Sequence, residues 1–220
     1  MIKQIVVGVC STNCYLFYDK YLRCVIIDPG GNEVEIISNI KTMNLTPVGI
    51  ILTHGHFDHT AALGKVKDYY QKKGIILKIA IHTEDSKYLG ESGEKLSKQF
   101  LSFLELNENT KFIDSVSKLP EADILLKKNE RIFNMDLNVI ETPGHTKGSI
   151  CLFSEDDGIL FSGDTLFYRG IGRTDFPGGN CQDLIHSIKN KLFTLPKKTH
   201  VYPGHGPTTN ILSEEESFIY

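Results

Sequence analysis

The 220-residue chain has no run long and apolar enough to span a bilayer. It has no excess of positive charge either. Lysine and arginine number 24 against 27 aspartates and glutamates, a net charge of -3. That balance provides no general basic field for nucleic acid or an anionic membrane. The N-terminal Met1-Ile2-Lys3-Gln4-Ile5 leads straight into a strand-like stretch and shows no signal-peptide pattern. There is no even set of cysteines. Cys10, Cys14, Cys24, Cys151 and Cys181 make five, and Cys24 and Cys151 lie in apolar runs. Reduced, mostly buried thiols in a cytoplasmic protein are expected, not a disulfide framework.

The remaining composition is that of an ordinary globular protein, 40% apolar and 23% charged. The length suits one domain over residues 1–220 with a sizeable core. Four possible metal ligands, His54, His56, Asp58 and His59, fall within six residues of Thr53-His54-Gly55-His56-Phe57-Asp58-His59-Thr60. They follow an apolar run at 47–52 that reads as a buried strand. In extended chain, residues two apart point the same way, so His54 and His56 can face one ion together. Asp58 and His59 fall where the loop turns into a helix and can face a second position.

Three more segments end in candidate ligands. Residues 139–145 read as a strand, a Pro-Gly turn and His145. Residues 159–164 read as a buried strand, a glycine and Asp164. Residues 201–206 repeat Pro-Gly-His around His205. In each, a stiff strand sets the position and a glycine permits close approach.

The periodicity predicts strands at about 2–9, 14–18, 23–27, 48–52, 76–81, 122–127, 131–133, 137–141 and 200–202, with a hairpin pairing 149–154 and 158–163. Helices are predicted over 33–43, 60–72 and 181–194, with Asn32 and Asn180 as caps of the first and third. Residues 84–109 read as a helical excursion, with Leu96, Phe100, Phe103 and Leu104 on one face. A short acidic helix is expected at 213–220. Helices covering both faces of sheet material imply an α/β layered fold.

The set His54, His56, Asp58, His59, His145, Asp164 and His205 resembles the ligand set of the metallo-β-lactamase superfamily, and the resemblance runs from Asp28 to about Thr208. It implies an αββα sandwich: two mixed sheets face to face, helices outside, metals at one edge. It also implies that His54, His56 and His145 bind a first metal, that Asp58, His59 and His205 bind a second, and that Asp164 bridges them. Two divalent ions are expected, with zinc the default for an imidazole-rich site and iron or manganese compatible with it. Gly163-Asp164-Thr165-Leu166-Phe167 and Gly172-Arg173-Thr174-Asp175-Phe176-Pro177-Gly178-Gly179 resemble the glyoxalase II branch, especially its short bacterial members.

That branch implies hydrolysis of a small-molecule thioester, S-lactoylglutathione or a related hydroxyacyl thiol, by a metal-bridging hydroxide that Asp58 orients. A thiolate leaving group needs no general acid, because thiols ionise near about pH 8.5. Arg173 and Tyr168 are the candidate substrate contacts, Arg173 for a carboxylate. Two departures from the branch stand out. Asp175 replaces a usual aromatic residue, and with only about fifteen residues after His205 no glutathione-binding helical domain is expected there. A thiol other than glutathione, or loose choice of thiol, is the corresponding expectation.

The alternative within the superfamily is a persulfide dioxygenase with one iron on His54 or His56, His145 and Asp164. An intact ligand set disfavours a lapsed scaffold protein, and the acidic balance disfavours a nuclease. His82, His186 and His200 show no partner pattern. Cys10 and Cys14 read as packing residues, and Asp28 as a turn residue behind a ligand histidine.

Overall fold

The computed structural model describes residues 1–103, 119–128 and 130–219. Its first sheet has six strands lying side by side in chain order: β1 (Ile2–Val7), β2 (Thr12–Tyr18), β3 (Arg23–Ile27), β4 (Thr46–Ile51), β5 (Ile79–His82) and β6 (Ile124–Leu126). The first three pair antiparallel, and β3 to β6 pair in parallel. The parallel pairings need crossovers, which helices supply. Helix α1 (Glu33–Thr42) joins β3 to β4. A short helix α2 (Phe57–Thr60) and α3 (Leu63–Gln71) join β4 to β5.

The second sheet contains β7 (Asn138–Glu141), β8 (Ile150–Ser154), β9 (Ile159–Gly163), β12 (His200–Pro203) and β13 (Thr209–Asn210), in the order β13-β12-β9-β8-β7. Only β9 and β12 pair in parallel. A small hairpin, β10 (Leu166–Phe167) and β11 (Gly170–Ile171), stands apart from both sheets. Among the described residues the remaining helices are α4 (Gly90–Phe103), α5 (Cys181–Ser187) and α6 (Ile211–Ser217). Helix α5 runs on into a π-helical turn, Ile188–Leu192.

Strand alternation explains the layering. Cys14 and Leu16, Cys24 and Ile26, and Ile50 and Leu52 point outward and pack with Ile36, Ile40, Leu63 and Val66 of α1 and α3. The intervening Tyr15, Phe17, Val25, Ile27 and Ile51 point inward to Val139, Ile150, Leu152 and Phe161 of the second sheet. On that sheet's far side, Cys151 and Leu160 pack with Leu184, Ile188, Leu192 and Ile211. A strand apolar on both faces must be covered on both, so two such sheets need four layers. The expected sandwich of two mixed sheets is the fold observed. Phe161 sits at its centre, with ring centroids 5.1 Å from Tyr15 and 5.7 Å from Phe17 and Tyr202.

Several boundaries differ from expectation. Residues 131–133 form only an isolated bridge from Arg131 to Asn138, because Phe133 and Asn134 turn the chain through left-handed backbone (φ 55° and 52°). The helix expected at 60–72 starts at Phe57 and is broken before Leu63. Asn180 caps α5 as expected, its Oδ1 accepting from the backbone N–H groups of Gln182 and Asp183. Asn32 precedes α1 but makes no such cap. Its left-handed backbone (φ 51°) turns the side chain to accept from Gly8 N–H instead. The excursion opens as a 3-10 turn, Thr83–Tyr88, before α4. Its expected end at 104–109, and the last residue of the expected C-terminal helix, lie outside the described residues. All five cysteines are free. Among the described residues no helix is long and apolar enough to cross a membrane.

Candidate metal centre

Four strands deliver the candidate ligands to one rim of the sandwich. His54, His56, Asp58 and His59 follow β4, His145 follows β7, Asp164 follows β9, and His205 follows β12. All seven come together. His54, His56 and His145 form one group, and Asp58, His59 and His205 form another. A third group of His54, His59 and Asp164 lies between them. Within each, one ligand atom per residue lies within 4.8 Å of the others. Asp164 faces both sides: Oδ1 is 3.4 Å from His59 Nε2, while Oδ2 is 3.6 Å from His145 Nε2 and 3.5 Å from His205 Nε2.

The fit to cations rests on ring orientation. His59 Nδ1 donates to Asp28 Oδ2 (2.9 Å), His145 Nδ1 to the Arg173 carbonyl (2.7 Å) and His205 Nδ1 to the Cys10 carbonyl (3.1 Å). Thr53 Oγ1 donates to Asp28 Oδ2 (2.6 Å), so its oxygen is left to accept from His54 Nδ1 (3.1 Å). When neutral, each of these four rings therefore turns a bare Nε2 toward the centre. His145 Nε2 faces His56 Nδ1 at 2.9 Å, and His59 Nε2 faces His205 Nε2 at 3.3 Å. Two lone pairs meet stably only across a proton or a cation. Nitrogens about 2.05 Å from one tetrahedral ion lie roughly 3.3 Å apart. His54 Nε2 and Asp164 Oδ1 are buried with no hydrogen-bond partner among the described residues. The donors present suit divalent metal.

Burial, and then the neighbouring imidazoles, push His54 and His56 well below the usual histidine range. They stay neutral and able to ligate. Burial would lower His59 as well, but Asp164, Asp58 and Asp28 outweigh it and raise that ring. Burial likewise opposes protonation of His205, but the hydrogen bond its ring donates to Asp58 and the charge of Asp164 outweigh it and raise that ring. Burial disfavours the Asp164 carboxylate, yet the His59 ring, followed by His145 and His205, holds its pKa far below the usual value.

Two glycines allow the closeness. A Cβ on Gly30 would stand 1.7 Å from the Asp58 carbonyl oxygen. One on Gly204 would stand 2.2 Å from Asp164 Oδ1. In both places only a missing side chain lets the backbone approach.

A cleft of about 270 Å³ opens over the group, walled by Cys10, Phe167, Ile171, Arg173 and Phe176. Arg173 is there as expected, but Asp175 already takes its fork: Nε to Oδ1 at 3.0 Å and Nη2 to Oδ2 at 2.7 Å. Its guanidinium also covers the Phe176 ring at 4.2 Å. Tyr168 does not line the cleft. It is 47% exposed in the β10–β11 turn, with the Arg169 guanidinium over its ring. Phe167 takes the place by the metal group, edge-on to His205 at 6.2 Å.

Cys10 lines the cleft instead of packing in the core. Its thiol is pushed up to about 11, by burial and then by Asp58. Asp28 supports the ligand loop as expected, accepting from Thr53 N–H (2.8 Å) as well. His82 bonds to Glu141, and His186 to Asn190, away from the group. Sequence patterning missed Asp85, Thr12, Thr146 and the carbonyls of Cys10 and Arg173. None of them belongs to a local motif; they reach the ligands only through the fold.

The model of the Metallo-beta-lactamase superfamily matches residues 7–205 of the chain. Hydroxyacylglutathione hydrolase GloC of Haemophilus influenzae is 34% identical over 205 residues, 93% of this chain and 90% of that protein. Among solved structures, BLEG-1 B3 metallo-beta-lactamase superposes with a TM-score of 0.85 at 36% identity, covering 98% of this chain and 97% of that one. TTHA1623 in a di-iron-bound form gives a TM-score of 0.79 at 27% identity, covering 98% of each chain.

Proposed function

The chain belongs to the metallo-beta-lactamase superfamily, and from that premise we propose that it is a binuclear metal-dependent thioesterase acting on a small hydroxyacyl thiol such as S-lactoylglutathione. The observation that carries this reading is the pair of complete ligand groups, His54–His56–His145 and Asp58–His59–His205, with Asp164 between them. When bound, two divalent ions supply a water ionised near neutral pH and positive charge for a developing oxyanion.

This chain's own groups do the positioning. In this reading Asp58 orients the attacking water, and its contacts support that role: Oδ2 accepts from Thr12 Oγ1 at 3.2 Å and lies 3.3 Å from His205 Nε2. Asp164 balances the charge between the two groups. Phe167, Ile171 and Phe176 offer apolar wall to the acyl and thiol chains. Among the described residues, and apart from the ligands, the ionisable groups lining the cleft are Cys10 and Arg173. A thiol held up to about 11 and a guanidinium are poor proton donors to a leaving amine. A thiolate leaves without one, so the cleft favours thioester over amide. Arg173, engaged by Asp175, supports loose choice of thiol over strict use of glutathione. The whole of 1–220 acts as one unit in this reading, with zinc as the default metal and the di-iron form of TTHA1623 as the reason to test iron.

The test is metal analysis of protein purified without added metal, with hydrolysis of S-lactoylglutathione, a neutral lactoyl thioester and a β-lactam measured side by side. Close to two ions per chain and thioester turnover well above β-lactam turnover are expected. Preferred β-lactam cleavage overturns the substrate class. A single iron with oxygen uptake on a persulfide replaces the reading by the dioxygenase, which would leave Asp58, His59 and His205 without a second ion.

A further inference from the structure

Asp85 lies outside every ligand motif, in the 3-10 turn that follows β5, and its side chain is completely buried. A buried carboxylate is costly unless donors surround it. Here three do. Oδ2 accepts from Gly55 N–H at 2.9 Å and from Thr146 Oγ1 at 2.8 Å, and Oδ1 accepts from Gly148 N–H at 2.9 Å. The identity of these donors matters. Gly55 separates His54 from His56. Thr146 and Gly148 belong to the turn immediately after His145. The carboxylate therefore ties together the two loops that carry one complete ligand group, across the gap between the two sheets. The packing is tight: a Cβ on Gly148 would stand 2.6 Å from Asp85 Oδ1. Thr146 is itself held, its N–H and hydroxyl both bonded to Ser149 Oγ (3.0 and 2.8 Å).

The other ligand group has its own carboxylate. Asp28 bonds Thr53 N–H, Thr53 Oγ1 and His59 Nδ1, and so sets His59 directly and reaches His54 only through the Thr53 hydroxyl. Asp85 makes no bond to Asp58, His59 or His205, and its three donors all flank the first group.

We propose that Asp85 is a positioning residue dedicated to the His54–His56–His145 metal position, clamping its two loops so that the three nitrogens converge. This rests on the binuclear reading above. Removing such a support weakens an ion by roughly 10–100-fold.

The experiment measures cobalt(II) and zinc affinity by chelator competition in two single-position backgrounds. In His59→Ala, which keeps the first position, adding Asp85→Ala should weaken the remaining ion by roughly 10–100-fold. In His145→Ala, which keeps the second, the same change should alter affinity less than about 3-fold. Asp85→Asn keeps one accepting oxygen and should fall between Asp85 and Ala. If Asp85→Ala does not fold, Thr146→Val removes one of the three bonds in a folded chain. It should weaken only the first position, by roughly 3–10-fold. Equal loss in both backgrounds, or no loss in His59→Ala, overturns the assignment. A wild-type chain that binds fewer than two ions overturns the binuclear reading, and the assignment falls with it.

Discussion

Removing the metal should cost this chain a large part of its thermal stability. Without cations, His145 Nε2 and His56 Nδ1 confront each other at 2.9 Å, and His59 Nε2 and His205 Nε2 at 3.3 Å. His54 Nε2 and Asp164 Oδ1 stay buried without hydrogen-bond partners among the described residues. The ligands come from four strand ends in two sheets, so an ion that binds them binds the folded chain alone. An ion present at a thousand times its dissociation constant adds about 4.1 kcal/mol. For a chain of this length each kcal/mol moves the midpoint by about 2–4 °C. Each tightly held ion should therefore be worth roughly 8–16 °C. Tryptophan is absent, so the melt is best followed by calorimetry or far-ultraviolet circular dichroism. Protein stripped with a chelator, verified metal-free and then titrated with zinc should recover its midpoint in two steps. A metal-free protein that melts within about 2 °C of the loaded one would refute the argument, because seven converging ligands would then be stabilising without an ion.

Acid should empty the two positions in sequence. Carboxylates raise His59 and His205, whereas burial and neighbouring imidazoles lower His54 and His56. A raised histidine takes up its proton at higher pH, so as pH falls the Asp58–His59–His205 position loses its ion first. Metal content after desalting at stepped pH below about 7 should pass through one ion per chain; loss of both in one step counts against the ordering. Gly30→Ala drives a methyl group into the Asp58 carbonyl oxygen, 1.7 Å away. Overpacking of this kind costs about 1–3 kcal/mol or more, and both a lower melting midpoint and a weakened second ion are expected; a variant with wild-type melting and metal content would show that the turn has slack. Asp175→Asn releases the Arg173 fork. If the thiol carries a carboxylate, KM for S-lactoylglutathione should fall roughly two- to five-fold with little change for a neutral thioester, and equal effects on both substrates would remove Arg173 from thiol choice.

The layered fold and the ligand set were readable in the sequence for the same reason. Each ligand follows an apolar run short enough to be a strand, and a strand's direction is set by local alternation. Runs such as 24–27 and 48–52, apolar at successive positions, already require cover on both faces. The four ligands of 54–59 announce themselves by density. His145 and His205 do so by a Pro-Gly step after a strand.

What patterning does not carry is anything made by residues distant in the chain without a motif of their own. Tyr168 and Phe167 are equivalent on paper, and only the hairpin's orientation chooses Phe167 for the cleft. Arg173 reads as a free cation until its neighbour two residues on folds back to occupy it. Asp85 looks like a solvated residue at the start of a helical stretch. Whether a carboxylate meets water or three backbone and hydroxyl donors depends on where β5 ends relative to the turn after β7. Sequence alone determined most of the strands of the two sheets and the chemistry at their ends, because alternation and ligand density are local. Tertiary structure decided which side chains support those ligands, because hydrogen-bond partners across two sheets are chosen by packing in space.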